Sequence, residues 1–166
     1  MKGEDEMDSH RRFRKCATAI ICLAILLVAS GLSASEIELS DGQTVYVPVY
    51  SHIYSGDKER PYLLTAILSI RNTDPGHPVT ILLVDYYGSD GKLIRKYIDK
   101  PVQLNAMASI RYVVGESDKS GGSGANFIVK WKAASKVNPP IIEGVMIGTR
   151  MQQGISFVGK GQVIKE

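Results

Sequence analysis

The sequence predicts an all-β protein: an antiparallel β-sandwich of immunoglobulin-like architecture with seven to eight strands, preceded by one apolar N-terminal helix. Three observations carry the prediction. From Glu36 onward the chain is a series of short runs rich in Val, Ile and Tyr, each bounded by Gly, Pro, Asn or Asp. No segment beyond residue 36 sustains a helical period. Between Asn126 and Ala134, Phe127, Val129 and Trp131 alternate with Lys130 and Lys132, as one buried and one wet face require.

The first 35 residues differ in kind from the rest. Arg11, Arg12, Arg14 and Lys15 form a basic cluster, and Ala17 to Ala34 follow without a charge. This is the order of a secretory signal, with the positive flank held in the cytoplasm. Ser33-Ala34-Ser35 offers small residues to a signal peptidase, predicting cleavage before Glu36. The alternative is retention, since residues 17–34 reach the lower edge of what spans a bilayer. Cys22 follows Ile20-Ile21, not the small residue that a lipoprotein signal needs. Residues 1–35 are therefore read as a signal peptide or membrane anchor, and residues 36–166 as one domain on the periplasmic or extracellular side.

Removing 35 of 166 residues leaves 131, enough to bury a core unaided. The strand candidates run Thr44–Tyr54, Tyr62–Asn72, Val79–Tyr87, Leu93–Ile98, Ala108–Val114, Asn126–Ala134, Ile141–Gly148 and Ile155–Ile164. Turn chemistry separates them. Asn72 to Pro78 contains Pro75-Gly76, Asp90-Gly91 stands between two apolar runs, and Pro139-Pro140 stops the strand before it. Gly115 to Gly124, rich in Gly and Ser, reads as a flexible surface loop.

Composition excludes several classes of function. The leader holds five basic and four acidic residues of the chain's 20 and 17, leaving fifteen against thirteen in the domain. With no basic stripe, nucleic acid is not an expected partner. Both cysteines, Cys16 and Cys22, belong to the leader, so the domain has neither a disulfide nor a thiolate metal site. His52 and His77 are its only histidines, too few for a transition-metal centre without an accident of folding. No nucleophile elbow or phosphate-binding loop is present. Neither cofactor nor metal is expected.

The best candidate site is Thr44–Tyr54. On an unbroken strand Val45, Val47, Val49, Ser51 and Ile53 share a core face, and Tyr46, Pro48, Tyr50, His52 and Tyr54 share the other. A tyrosine face is broad and able to hydrogen-bond, as binding surfaces often are. Pro48 cannot donate to a ladder, which predicts an edge strand. The same tyrosines also suit packing against neighbouring strands. Tyr46, Tyr50, His52 and Tyr54 are the candidate partner-binding residues. Trp131 reads as a core anchor. Asp85 and Glu143 lie in apolar runs; edge exposure of Glu143, or its pairing with an arginine such as Arg71 or Arg111, is the structural account, and a perturbed acid is the catalytic one.

Four segments, Tyr46–Tyr54 (YVPVYSHIY), Leu68–Asp74 (LSIRNTD), Tyr86–Tyr97 (YYGSDGKLIRKY) and Pro140–Gly148 (PIIEGVMIG), resemble a bacterial family catalogued only as a domain of unknown function. The resemblance spans roughly Val45 to Gly148. It implies an exported or membrane-tethered domain and brings no activity, substrate or functional residues.

Three functions compete. The leading expectation is a non-enzymatic envelope domain binding a protein, peptide or glycan through an edge strand or the tyrosine face. The second is an envelope-polymer hydrolase using His52 with Asp85 or Glu143. The third is a structural spacer in a membrane complex.

Overall fold

The computed structural model describes residues 38–150 and 153–165. The leader, with its predicted helix, lies outside the described residues. Glu38–Glu166 form one compact unit, all-β and built of antiparallel sheets. Its strands are β1 (Ser40–Pro48), β2 (His52–Ser55), β3 (Arg60–Leu63), β4 (Thr65–Arg71), β5 (Val79–Tyr87), β6 (Leu93–Lys96), β7 (Val102–Leu104), β8 (Ser109–Val114), β9 (Asn126–Val137), β10 (Ile141–Arg150), β11 (Gln153–Lys160) and β12 (Gln162–Ile164). A larger sheet runs β12-β1-β9-β5-β6, with β7 also on β5; a smaller one runs β11-β10-β4-β8; β2 and β3 form a separate hairpin.

Alternation decides which face of each strand is buried. Val45 and Val47 of β1, Phe127, Val129 and Trp131 of β9, Ala66, Leu68 and Ile70 of β4, and Ile142 and Met146 of β10 join one buried cluster. Both main sheets therefore feed a single core. Trp131 is a core residue, 1% exposed, as its run predicted. Lys132 on the opposite face is exposed.

Among the described residues twelve strands replace the seven or eight expected, for identifiable reasons. Thr44–Tyr54 is not one strand: the chain leaves the ladder after Pro48 and resumes at His52 in another sheet. Tyr62–Asn72 breaks at Leu64, whose amide donates to Ser51 O at 3.0 Å. Ile155–Ile164 breaks at Gly161, whose amide donates to Ile142 O at 2.9 Å. The three-residue β7 carries too short a pattern to recognise.

The edge position inferred for Pro48 also needs correction. β1 lies between β12 and β9, with Tyr46 the last residue paired to β12. Val49 donates to Ala125 O at 2.9 Å, so strand alternation turns the Pro48 nitrogen away from β9. There β12 has already ended, and no ladder bond is lost. Pro48 packs instead over Gly144 and Gly159, cross-strand partners in β10 and β11. A Cβ on Gly159 would stand 2.5 Å from Pro48 O, and one on Gly144 3.0 Å from the same oxygen.

The predicted turn at Pro75-Gly76 is locked by buried Asn72 and Asp74. Asn72 Nδ2 donates to the carbonyls of His77, Leu104 and Asn105. Asp74 Oδ1 accepts the amides of Gly76 and His77, and Oδ2 accepts that of Asn138. Thr73 Oγ1 donates to Pro139 O.

The glycine-rich loop is not the flexible segment expected. Ser89 donates through both N and Oγ to Gly121 O at 2.9 Å, and Gly124 N donates to Ser89 Oγ at 2.8 Å. Gly122–Gly124 form a 3-10 turn. The small residues permit close approach, and here they serve packing.

Candidate functional site: an aromatic hairpin

The hairpin is anchored at its root by Ser51, which is fully buried. Ser51 N and Oγ both donate to Gly122 O, at 3.1 and 2.9 Å. The glycine-rich loop thus grips the base of β2. Beyond it, cross-strand pairs set the two faces of the hairpin. Ile53 and Tyr62 pair and pack against the core. His52 pairs with Leu63 and Tyr54 with Pro61, so these four share the opposite side. The turn bends at Gly56 and Glu59, both at positive φ, with Glu59 N donating to Gly56 O.

On that side His52 Nε2 lies 3.2 Å from the Tyr54 hydroxyl, and Nδ1 lies 3.2 Å from Ser51 Oγ. The two rings meet edge to face, with centroids 5.1 Å apart. The hydrogen-bond direction follows from chemistry. Gly122 O can only accept, so the single Ser51 hydroxyl proton points to it. Ser51 Oγ then accepts from His52 Nδ1–H. In the neutral ring Nε2 carries no proton and accepts from Tyr54. This chain holds both aromatic side chains in place, while Tyr54 remains 55% exposed.

The structure divides the predicted tyrosine face. The burial half of the prediction holds: Val45, Val47, Val49 and Ser51 are buried and Ile53 packs on the core. On the other half, His52 and Tyr54 come together. Tyr50 is half-buried and turns to Phe157 of β11, with centroids 5.8 Å apart. Tyr46 stands in the larger sheet between Gln162 and Ile128. The split arises where the chain changes sheet between Pro48 and His52.

The acid–base pair of the hydrolase reading is not assembled. Both ring nitrogens of His52 meet hydroxyls. Ser51 is sealed from solvent, and its O–H is donated to the Gly122 carbonyl. Glu143 Oε1 pairs with Arg71 Nη2 at 3.4 Å, the structural account given for it above. Asp85 is buried in β5 between Ile128 and Lys96. No three His, Cys, Asp or Glu side chains gather among the described residues.

Sequence reasoning missed Ser51 and Gly122 as the supports of this site. Their pairing joins residues 71 positions apart, and no local pattern announces it.

Fold and site together define an all-β domain with a hydrogen-bonded aromatic hairpin outside its two main sheets. The chain belongs to the family described as "Protein of unknown function (DUF3124)", whose model matches residues 42–164. No curated protein matches it. Among solved structures, the crystal structure of Thermotoga maritima 1070 is similar at 10% identity and a TM-score of 0.45, covering 75% of this chain and 96% of that one.

Proposed function

We propose that this chain is an extracytoplasmic envelope domain, carried across or held at the membrane by its leader, that binds a partner protein, peptide or glycan through the β2–β3 hairpin. His52 and Tyr54 form the contact. One observation carries the reading: a separate two-stranded hairpin presents a largely exposed tyrosine whose neighbouring histidine is already hydrogen-bonded at both nitrogens. Preset aromatic side chains lose little conformational freedom on binding, and a tyrosine offers apolar area with a polar tip. The basic cluster followed by residues 17–34 supports the compartment.

In architecture we read the two main sheets as a sandwich related to the immunoglobulin key. The pairings β4 with β8 and β5 with β9 support this, since they match the central strands of that fold. The outer strands differ: β10 lies beside β4 and β1 beside β9, the reverse of where last and first strands usually lie.

The test is an affinity capture from membranes with the full chain. His52→Ala/Tyr54→Ala is expected to lose the partners, and Tyr46→Ala, in another sheet, to keep them. Identical partners for all three chains would overturn the reading. N-terminal sequencing of the mature protein separates cleavage, with Glu36 first, from retention.

A further inference from the structure

The outward face of the smaller sheet has a different character from the hairpin. Cross-strand registers place Val158, Val145, Ile67 and Val113 in one row across β11, β10, β4 and β8. The next row reads Lys160, Glu143, Ser69, Arg111, and the one beyond it sets Arg71 between Ile141 and Ser109. Three cations and one carboxylate occupy this face, and the carboxylate is answered by Arg71. A shallow groove lined by Ile67, Val145, Ser69, Ser109, Arg71 and Arg111 runs to the β8 margin.

Among the described residues β8 pairs only with β4, and it is an open edge along Ser109–Arg111. Asn72 N donates to Ala108 O across the pair that continues β4 and β8. Ladder alternation then directs the N–H and C=O of Ser109, Arg111 and Val113 away from β4. In agreement, Val113 O accepts from the Tyr97 hydroxyl at 3.2 Å, a group outside the smaller sheet. The residues whose backbone faces outward are those whose side chains lie on the charged and apolar face.

We propose that β8 accepts an extended acidic peptide segment of a partner by strand addition, independently of the hairpin contact. The added strand would bond Ser109 and Arg111, set a carboxylate beside Arg111, and place an apolar side chain two residues away beside Val113. A charge on an edge strand also discourages pairing between like strands. Arg71 is engaged by Glu143 and Ser69, which leaves Arg111 as the cation for an incoming carboxylate, with the Ser69 and Ser109 hydroxyls beside it in the groove. A second copy of β8 does not meet the requirement. Its sequence, Ser109-Ile-Arg-Tyr-Val-Val114, has no acid, and in antiparallel pairing Arg111 would face Arg111, Ser109 or Val113.

The test uses the full chain in mild detergent and two labelled probes, a peptide repeating Glu-Thr-Val-Thr, which sets Glu and Val in turn along one face, and its Lys-Thr-Val-Thr counterpart. The acidic probe is expected to bind and the basic one not, with Arg111→Gln weakening the acidic probe about tenfold. Methylating the acidic probe's strand-facing amides should abolish binding, and methylating the opposite amides should not. Near-ultraviolet circular dichroism of Trp131 checks the variant's fold. Equal binding of both probes, or indifference to Arg111→Gln, would overturn the proposal. So would binding only to phosphatidylglycerol vesicles, which would assign the arginines to a lipid surface. His52→Ala/Tyr54→Ala should bind the acidic probe as the unaltered chain does, and loss of that binding would overturn the independence of the two contacts.

Discussion

Gly121 lacks a side chain because the phenol oxygen of Tyr86 occupies the place where its Cβ would stand. The Cβ of Ala125 closes the same space at 2.7 Å. Gly121 has an ordinary φ of −75°, so proximity and not backbone conformation demands the glycine. Gly121→Ala should cost about 1–3 kcal/mol by overpacking. Adding Tyr86→Phe should return part of that loss, a coupling of about 0.5 kcal/mol or more in a denaturation cycle. Strictly additive effects would show that the two groups do not compete for space.

The same phenol predicts an effect of its own. Tyr86 is fully buried against Phe127, and its hydroxyl has no hydrogen-bond partner. Tyr86→Phe should therefore be neutral or stabilising at pH 7, by about 1 kcal/mol. Burial first, then the charges of Asp118 and Tyr97, push the Tyr86 phenol up to about 12, against the pull of Arg95. Between 10 and about 12 the unfolded chain has lost a proton that the folded one keeps, so stability falls as pH rises. Urea midpoints at increasing alkaline pH should fall less steeply for Tyr86→Phe.

Asp74 governs the acid limb. The Gly76 amide and then that of Asn138 hold its carboxyl at about 2 against burial, with the His77 side chain and amide assisting. Its folded value lies below the ordinary 3.8, so its contribution is complete above 3.8 and is lost as pH falls towards about 2. Asp74→Asn should be less stable at neutral pH, because an amide nitrogen cannot accept from Asn138. It should also show a flatter decline between pH 4 and 2 in urea titrations. An unchanged acid slope would remove Asp74 from this role.

Ser51 sets the proton on His52. Long-range proton–nitrogen NMR should find neutral His52 protonated at Nδ1, because the Ser51 O–H is donated to Gly122 O and leaves Oγ to accept. Ser51→Ala should shift the balance towards Nε2–H and cost about 1 kcal/mol by removing one of the two donors to the part-buried Gly122 carbonyl. Tyr54→Phe, at an exposed position, should leave stability within about 0.5 kcal/mol. An Nδ1-unprotonated ring in the unaltered chain would refute the chain of hydrogen bonds.

The residues that pattern made legible are those whose burial depends on period alone. Phe127, Val129 and Trp131 are buried as their spacing predicts, β5 has the predicted bounds, and Val45 to Ser51 keep their parity through Pro48. The tyrosine stripe had the same period but a different outcome, because a strand's side-chain alternation does not record which sheet the strand joins. Tyr46, Tyr50 and the His52–Tyr54 pair separate where the chain passes over Gly144 and Gly159.

By itself the sequence determined that the domain is all-β, most of its core faces and its turns at Pro75-Gly76 and Asp90-Gly91, since these follow from two-residue alternation and the backbone limits of Gly and Pro. Tertiary structure alone decided that Gly122 grips Ser51, that Arg71 answers Glu143, and that β8 is left as an open edge. Each of these relations joins residues remote in the chain, and only closure of the sheets brings their groups within bonding distance.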